Sequence, residues 1–194
     1  MTLPSELKQE IASVKRDINF TYGGILENPD EVLQRRGNGK GLKVYDEIEE
    51  DAHAYAVLQK RKLAVIARPW EVKAATNSSI DQKAADIVRS QLESKLDQLS
   101  LDLLDATLKG FSVVEIMWAD SGTEIFPAEF KARDQRRFTF DSDYKLRLLT
   151  PQNTVTGEAV PQRKFIRHTF GAKDGNPFGK GLGSKLYFPV WFKR

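Results

Sequence analysis

Lys109-Gly110-Phe111-Ser112-Val113-Val114-Glu115-Ile116-Met117-Trp118 is where this chain changes character. Upstream, Ala84, Val88, Leu92, Leu96, Leu99, Leu103/Leu104 and Leu108 recur at helical steps and predict one long helix over 81–109. Lys109 supplies a basic last turn and Gly110 a C-cap, so the helix should stop there. Downstream, the branched and aromatic run 111–118 predicts a strand. Asp120-Ser121-Gly122 turns it into a second strand over 123–131, in which Pro127 marks an edge or a bulge. Residues 137–140, 146–149 and 164–170 predict further short strands with turn signals between them. Helices first and antiparallel strands afterwards make an α+β arrangement rather than alternating βαβ units.

Working back from that junction, 45–67 predicts an amphipathic helix. Asp46, Glu47, Glu49, Glu50 and Asp51 crowd its start, and Lys60, Arg61 and Lys62 lie toward its end, as the helix macrodipole favours. Ile48, Ala52, Tyr55 and Leu58/Gln59 mark its expected buried face. Pro69 stops it, and Trp70-Glu71-Val72 reads as the start of a short strand. Thr76-Asn77-Ser78-Ser79 is a linker or cap before the long helix. Residues 1–44 read as an extended arm holding a short helix over 5–15 and another over 29–35. In the second, Asn28 would cap and Pro29 take the first helical position. Tyr22-Gly23-Gly24 and Gly37-Asn38-Gly39-Lys40-Gly41 are turn chemistry.

Toward the other end, 45–174 forms the α+β body, and 175–194 a glycine-rich loop followed by a helix that Ser184 could cap. That helix newly presents Tyr187, Phe188, Trp191 and Phe192. It reads as a truncation point or as an element awaiting a partner.

The 194 residues suffice for one domain, and 11 Phe within a 40% apolar composition can build a core. Net charge is only +3, which is weak for a dedicated sequence-reading DNA binder. The absence of cysteine excludes disulfides, thiol nucleophiles and thiolate zinc sites. Residues 1–20 lack an apolar core of signal-peptide length, and no run of eighteen apolar residues predicts a membrane span.

Neither Lys40 nor Lys180, each inside a glycine loop, is followed by Ser or Thr as a Walker-type phosphate loop requires, so flexible turns account for both. Asp120 followed by Glu129-Phe130-Lys131 mimics the two carboxylates and lysine of a magnesium-dependent nuclease, though Glu-x-Lys is also ordinary on a solvated strand. His53 and His168 stand far apart with no second ligand at metal spacing. Arg133, Arg136 and Arg137, with Arg163, Lys164 and Arg167, interleave with Phe138, Phe140, Phe165 and Phe170. They form a possible non-sequence-specific DNA or phosphate contact, as in a DNA-binding accessory module. The plainer account is a half-buried sheet with aromatics inward and cations outward.

Several blocks are familiar together: Asn28-Pro29-Asp30-Glu31-Val32-Leu33, Tyr45-Asp46-Glu47, and Val57-Leu58-Gln59-Lys60-Arg61-Lys62-Leu63-Ala64-Val65 with Arg68-Pro69-Trp70-Glu71-Val72. Gly110-Phe111-Ser112-Val113-Val114-Glu115-Ile116 with Trp118, Asn176-Pro177-Phe178-Gly179-Lys180-Gly181-Leu182-Gly183, and Tyr187-Phe188-Pro189-Val190-Trp191-Phe192-Lys193-Arg194 follow in order. In that order and spacing the chain resembles the N-terminal part of the portal proteins of Mu-like phages and prophages. The resemblance implies a fold like the outer wing of a portal and a structural role without catalysis or cofactor. It implies a ring of typically twelve subunits at one capsid vertex. The partners implied are capsid, terminase and head-completion proteins, with double-stranded DNA passing through without sequence readout and no membrane. The location implied is the virion, assembled in the bacterial host cytoplasm. Family members continue into stem helices that line the channel, beginning about where this chain stops. The aromatic residues Tyr187, Phe188, Trp191 and Phe192 are then candidate contacts between subunits, since each ring subunit shows different surfaces to its two neighbours.

Overall fold

The computed structural model describes residues 24–36, 40–122 and 124–194. The helix expected over 5–15 and the turns at 22–23 and 37–39 lie outside the described residues. Within them, helices α1 (Glu31–Arg36), α2 (Asp46–Glu49), α3 (Ala52–Ile66), α4 (Ser79–Leu92), α5 (Leu96–Leu103) and α6 (Ala106–Lys109) precede the strands. Strands β1 (Phe111–Asp120), β2 (Ile125–Arg133), β3 (Phe138–Phe140), β4 (Leu146–Thr150), β5 (Asn153–Ala159) and β6 (Phe165–Thr169) follow, and α7 (Gly183–Lys193) comes last. The α+β reading holds. The strands make two three-stranded antiparallel sheets, ordered β2-β1-β6 and β3-β4-β5.

The junction behaves as read. Gly110 takes φ 96° at the end of α6 and its N–H donates to the Ala106 carbonyl at 2.7 Å. Pro127 sits on edge strand β2, opposite a register shift between Met117 and Trp118, so both senses of its signal are realised. Strand β5 was not expected. Gly157 and a run of polar residues hid it, yet Gly157 at φ 61° turns under the Leu148 carbonyl, and the Arg147 guanidinium bonds the Thr156 and Gly157 carbonyls.

Both long helices break. The segment expected as one helix over 45–67 is a 3-10 turn (Gly41–Tyr45), then α2, then α3. Asp51 is not a residue in a first turn but the N-cap of α3, its carboxylate accepting from the Ala54 N–H at 2.9 Å. The restart changes the helical phase, so the buried face of α3 is Ala54, Leu58 and Lys62, while Ala52 and Tyr55 point outward. Trp70-Glu71-Val72 forms no strand. The helix expected over 81–109 is divided at 93–95 and 104–105 into α4, α5 and α6. The Ser112 hydroxyl takes the freed Leu103 carbonyl at 2.6 Å and fixes the second break.

Leu26, Val32, Leu42 and Val44, assigned by sequence to the extended arm, pack into the main core. Asp30 rather than Asn28 caps α1, accepting from the Val32 N–H at 3.0 Å, so the helix starts two residues later than expected. The Leu26 N–H donates to the Phe140 carbonyl at 2.9 Å and lays this stretch along β3. At the centre, Phe111 of β1, Phe140 of β3 and Phe178 of the glycine loop meet edge to face, with ring centroids 4.8–5.6 Å apart. The loop is therefore core. It is not the flexible turn that its composition suggested.

Candidate functional site

The six cations singled out by sequence are not one open face. Antiparallel register brings Arg133 of β2 and Lys164, just before β6, onto the Glu115 carboxylate of the central strand, at 2.7 and 3.2 Å. Burial opposes the charge of Glu115, but Arg133 and Lys164 hold its carboxyl below the usual range. Arg136 folds back on Asp134 at 2.5 Å and lowers its pKa in turn. Arg167 lies over the Phe140 ring, 5.3 Å from its centroid, and donates to the Tyr144 carbonyl at 3.1 Å. Burial lowers its pKa. Arg137 and Arg163 are exposed.

The nuclease arrangement does not assemble. Glu129 pairs in register with Met117, so it shares that residue's side of the sheet, whereas Asp120 lies three residues further along β1 and on the other side. That separation is ~10 Å along the strand alone. Lys131 bridges Glu129 at 3.0 Å instead of facing a metal position. Among the described residues no three His, Asp or Glu side chains form a group able to hold a metal ion. Among the described residues no helix is long and apolar enough to cross a membrane.

A charged cleft that the sequence reading missed lies between α3, α5, α6 and the 135–137 turn. It encloses about 450 Å³, and Lys62, Asp105, Lys109 and Gln135 are among the residues lining it. Asp105, in the break between α5 and α6, receives Lys62 at 3.4 Å, Lys109 at 3.2 Å and the Gln135 amide at 2.7 Å. Burial works against its charge, yet Lys109, Gln135 and Lys62 outweigh it and keep the carboxyl below its ordinary range. Lys109 also reaches Asp46 at 3.0 Å. Nearby Glu49 is pushed upward by burial and by Asp105. The one available sequence signal was Lys62 itself, four residues after Leu58 on a stripe that must face inward. These groups satisfy each other and tie three helices to the sheet turn.

The C-terminal helix is the other unusual surface. Gly183, Leu186, Tyr187 and Val190 face the core, and Gly183 lies so close to the Tyr45 ring that a Cβ there would come within 2.6 Å of it. Ser184, expected as the cap, bonds the Gly181 carbonyl instead. Tyr187 is partly buried, while Phe188, Trp191 and Phe192 are 41%, 58% and 76% exposed. Their rings touch in sequence: Tyr187 with Phe188, Phe188 with Phe192, and Phe192 with Trp191. Lys193 meets Asp51 at 2.7 Å and Arg194 meets Glu50 at 3.0 Å, so the break between α2 and α3 holds the end of α7.

Asp51 thus serves two helices, capping α3 and pairing with Lys193. Its bond from Lys193, joined by that from the Ala54 N–H, lowers its pKa. Asp51→Asn should lower Tm by roughly 2–4 °C at neutral pH. The gap between wild type and variant should shrink as pH falls below about 4, because a carboxyl lowered in the fold loses its contribution on protonation. Thermal melts of both proteins at pH 7 and pH 3.5 measure this.

Residues 42–194 match the family model described as the portal protein of Mu bacteriophage. The portal protein of Escherichia phage Mu is 28% identical over 152 residues, covering 77% of this chain and 30% of that protein. The Mu-like prophage FluMu protein gp29 of Haemophilus influenzae is 30% identical over 151 residues, covering 75% of this chain and 29% of that protein. The chain therefore spans less than a third of the length of either relative.

Proposed function

Because the chain belongs to the family of Mu bacteriophage portal proteins, we propose that it works as a structural subunit of a portal ring at one capsid vertex. There it serves head assembly and the passage of double-stranded DNA during packaging and ejection. Its partners are further copies of itself, with capsid, terminase and head-completion proteins. It acts in the virion, after assembly in the host cytoplasm, and catalyses no reaction.

The observation that carries this reading is the extent of the match, which runs from the 3-10 turn ahead of α2 to the end of α7 and so includes every strand among the described residues. The engaged cations are consistent with it. A ring that lets DNA slide needs little phosphate grip, and Glu115, Asp134 and Phe140 already occupy Arg133, Lys164, Arg136 and Arg167. Arg137 and Arg163 are the members of the set best placed to meet passing DNA. A host induced for phage production without this gene should yield heads empty of DNA, and supplying the gene in trans should restore filled heads. DNA-filled infectious particles made without it would overturn the proposal.

A further inference from the structure

Helix α3 is apolar on more sides than the core covers. Its buried face is Ala54, Leu58 and Lys62, yet Ala52, Tyr55, Ala56 and Leu63 lie outward, Tyr55 being 48% and Leu63 54% exposed. Ala52, Ala56, Gln59, Leu63 and Ile66 follow one another at alternating steps of four and three residues, which on a helix is one continuous seam. A helix in solvent ordinarily shows a polar face there. His53 and Lys60 border the seam on its outward side, and α3 contains no carboxylate to balance them. Lys60 is exposed and makes no ion pair among the described residues.

The chain holds a second seam of the same spacing. In the helix that the sequence predicts from Ser5, Leu7, Ile11, Val14 and Ile18 fall at steps of four, three and four. At 3.6 residues per turn Glu6, Glu10 and Asp17 all fall along one edge of that stripe, and Lys8 and Lys15 along the other. An apolar seam with an acidic edge thus matches an apolar seam with a basic one, the pattern that selects partners in paired helices. Two α3 helices packed together would instead set cations against cations with no carboxylate between them. Reach is no obstacle. The residues ahead of Gly24 span ~75 Å when extended, against a diameter of ~40 Å for a domain of this size.

We propose that residues 5–18 seat along the Ala52-Ala56-Leu63 seam of α3 in the same chain, with Leu7, Ile11, Val14 and Ile18 inward and Glu6, Glu10 and Asp17 toward Lys60. The tether makes the contact intramolecular, so a narrow seam suffices where a separate partner would bury ~800 Å² of each surface. The contact is independent of ring formation, and its failure would leave the portal assignment standing.

The absence of cysteine makes the test direct. Val14→Cys and Ala56→Cys are placed together in the full chain, which is treated with a short thiol cross-linker at low protein concentration. The expected product is an internally linked monomer whose digest contains the two peptides joined. Moving the first cysteine to Arg16→Cys, on the opposite side of the stripe, should cut the yield about tenfold. In the Val14→Cys, Ala56→Cys chain, Glu10→Lys should lower the yield about threefold, and adding Lys60→Glu should restore it. Ala56 and Lys60 are both exposed, so these changes leave the fold intact, which a thermal melt checks. Equal yields from Val14→Cys and Arg16→Cys would overturn the proposal by showing an arm that samples the surface at random. Links formed only between copies would overturn it in favour of a neighbour's arm. No link in a folded chain would overturn it outright.

Discussion

Gly181→Ala should cost the fold about 3 kcal/mol or more and lower Tm by roughly 10 °C. The glycine loop crosses directly over the end of α6 and the start of β1. A Cβ at Gly181 would lie 2.1 Å from the Leu108 carbonyl oxygen and 2.5 Å from the Gly110 nitrogen, both backbone atoms that cannot move aside singly. The loop is fixed there from both ends. The Leu182 N–H donates to the Thr107 carbonyl at 2.8 Å, and the Lys180 N–H to the Phe170 carbonyl at 2.9 Å. It also delivers Phe178 to the central cluster, so lifting it opens the contact with Phe111 and Phe140. Gly175→Ala is the matching control. Gly175, unlike Gly181, has positive φ, at 73°, but nothing lies within 4 Å of an added Cβ. Its cost should stay near 1–2 kcal/mol, the penalty of a left-handed alanine alone. Chemical denaturation of the two variants decides the matter: equal losses would mean that close packing of the loop is not what holds it.

Asp105→Ala should cost a further large amount, about 3 kcal/mol, by leaving the ammonium of Lys62 and the amide of Gln135 buried without their partner. Lys62 and Gln135 are only 8% and 6% exposed, so water in the cleft would replace the carboxylate only in part. Removing both charges at once, in Lys62→Met with Asp105→Asn, should recover more than half of that loss. The pH dependence follows from the direction of the shift. The Asp105 carboxyl is lowered in the fold, so its stabilisation is complete above its ordinary value of about 4 and fades as pH falls through its lower native value. Glu49, raised by burial and by Asp105, works the other way as it protonates and softens the acid limb. Asp105→Asn should therefore flatten stability between about pH 4 and pH 2 relative to the wild-type protein. A double-mutant cycle by urea unfolding reads the coupling, and additive single effects would remove the Lys62–Asp105 pair from the account.

These two sites also show what local sequence carries and what it omits. Lys109-Gly110 and the run after it announced the helix-to-strand junction, because a C-cap glycine and a branched run act through their own backbones. Pro127 likewise signalled edge and bulge through its missing N–H. The breaks at Asp51 and at 104–105 were invisible, since no Gly or Pro marks them and the apolar steps continue through. Long-range contacts impose them: Lys193 comes to Asp51 from the far end of the chain, while Lys62 and Gln135 come to Asp105. The stripe Ala84-Val88-Leu92 was legible as apolar, yet Ala84 and Val88 lie exposed, because periodicity fixes a face but not what meets it. The cations at 133–167 were legible as residues, whereas their carboxylate and aromatic partners depended on strand register. The glycines at 179–183 looked like mobility and proved to be close approach, a difference that only the neighbouring backbone reveals.

Whether this chain is a portal subunit is decided by counting its copies in purified phage particles. Quantitative mass spectrometry against the major capsid protein, with labelled antibody to locate it, gives number and position together. A portal subunit should be present in a small fixed number of copies equal to one ring, confined to a single vertex. Absence from DNA-filled particles, or a copy number that scales with the capsid protein, would contradict it.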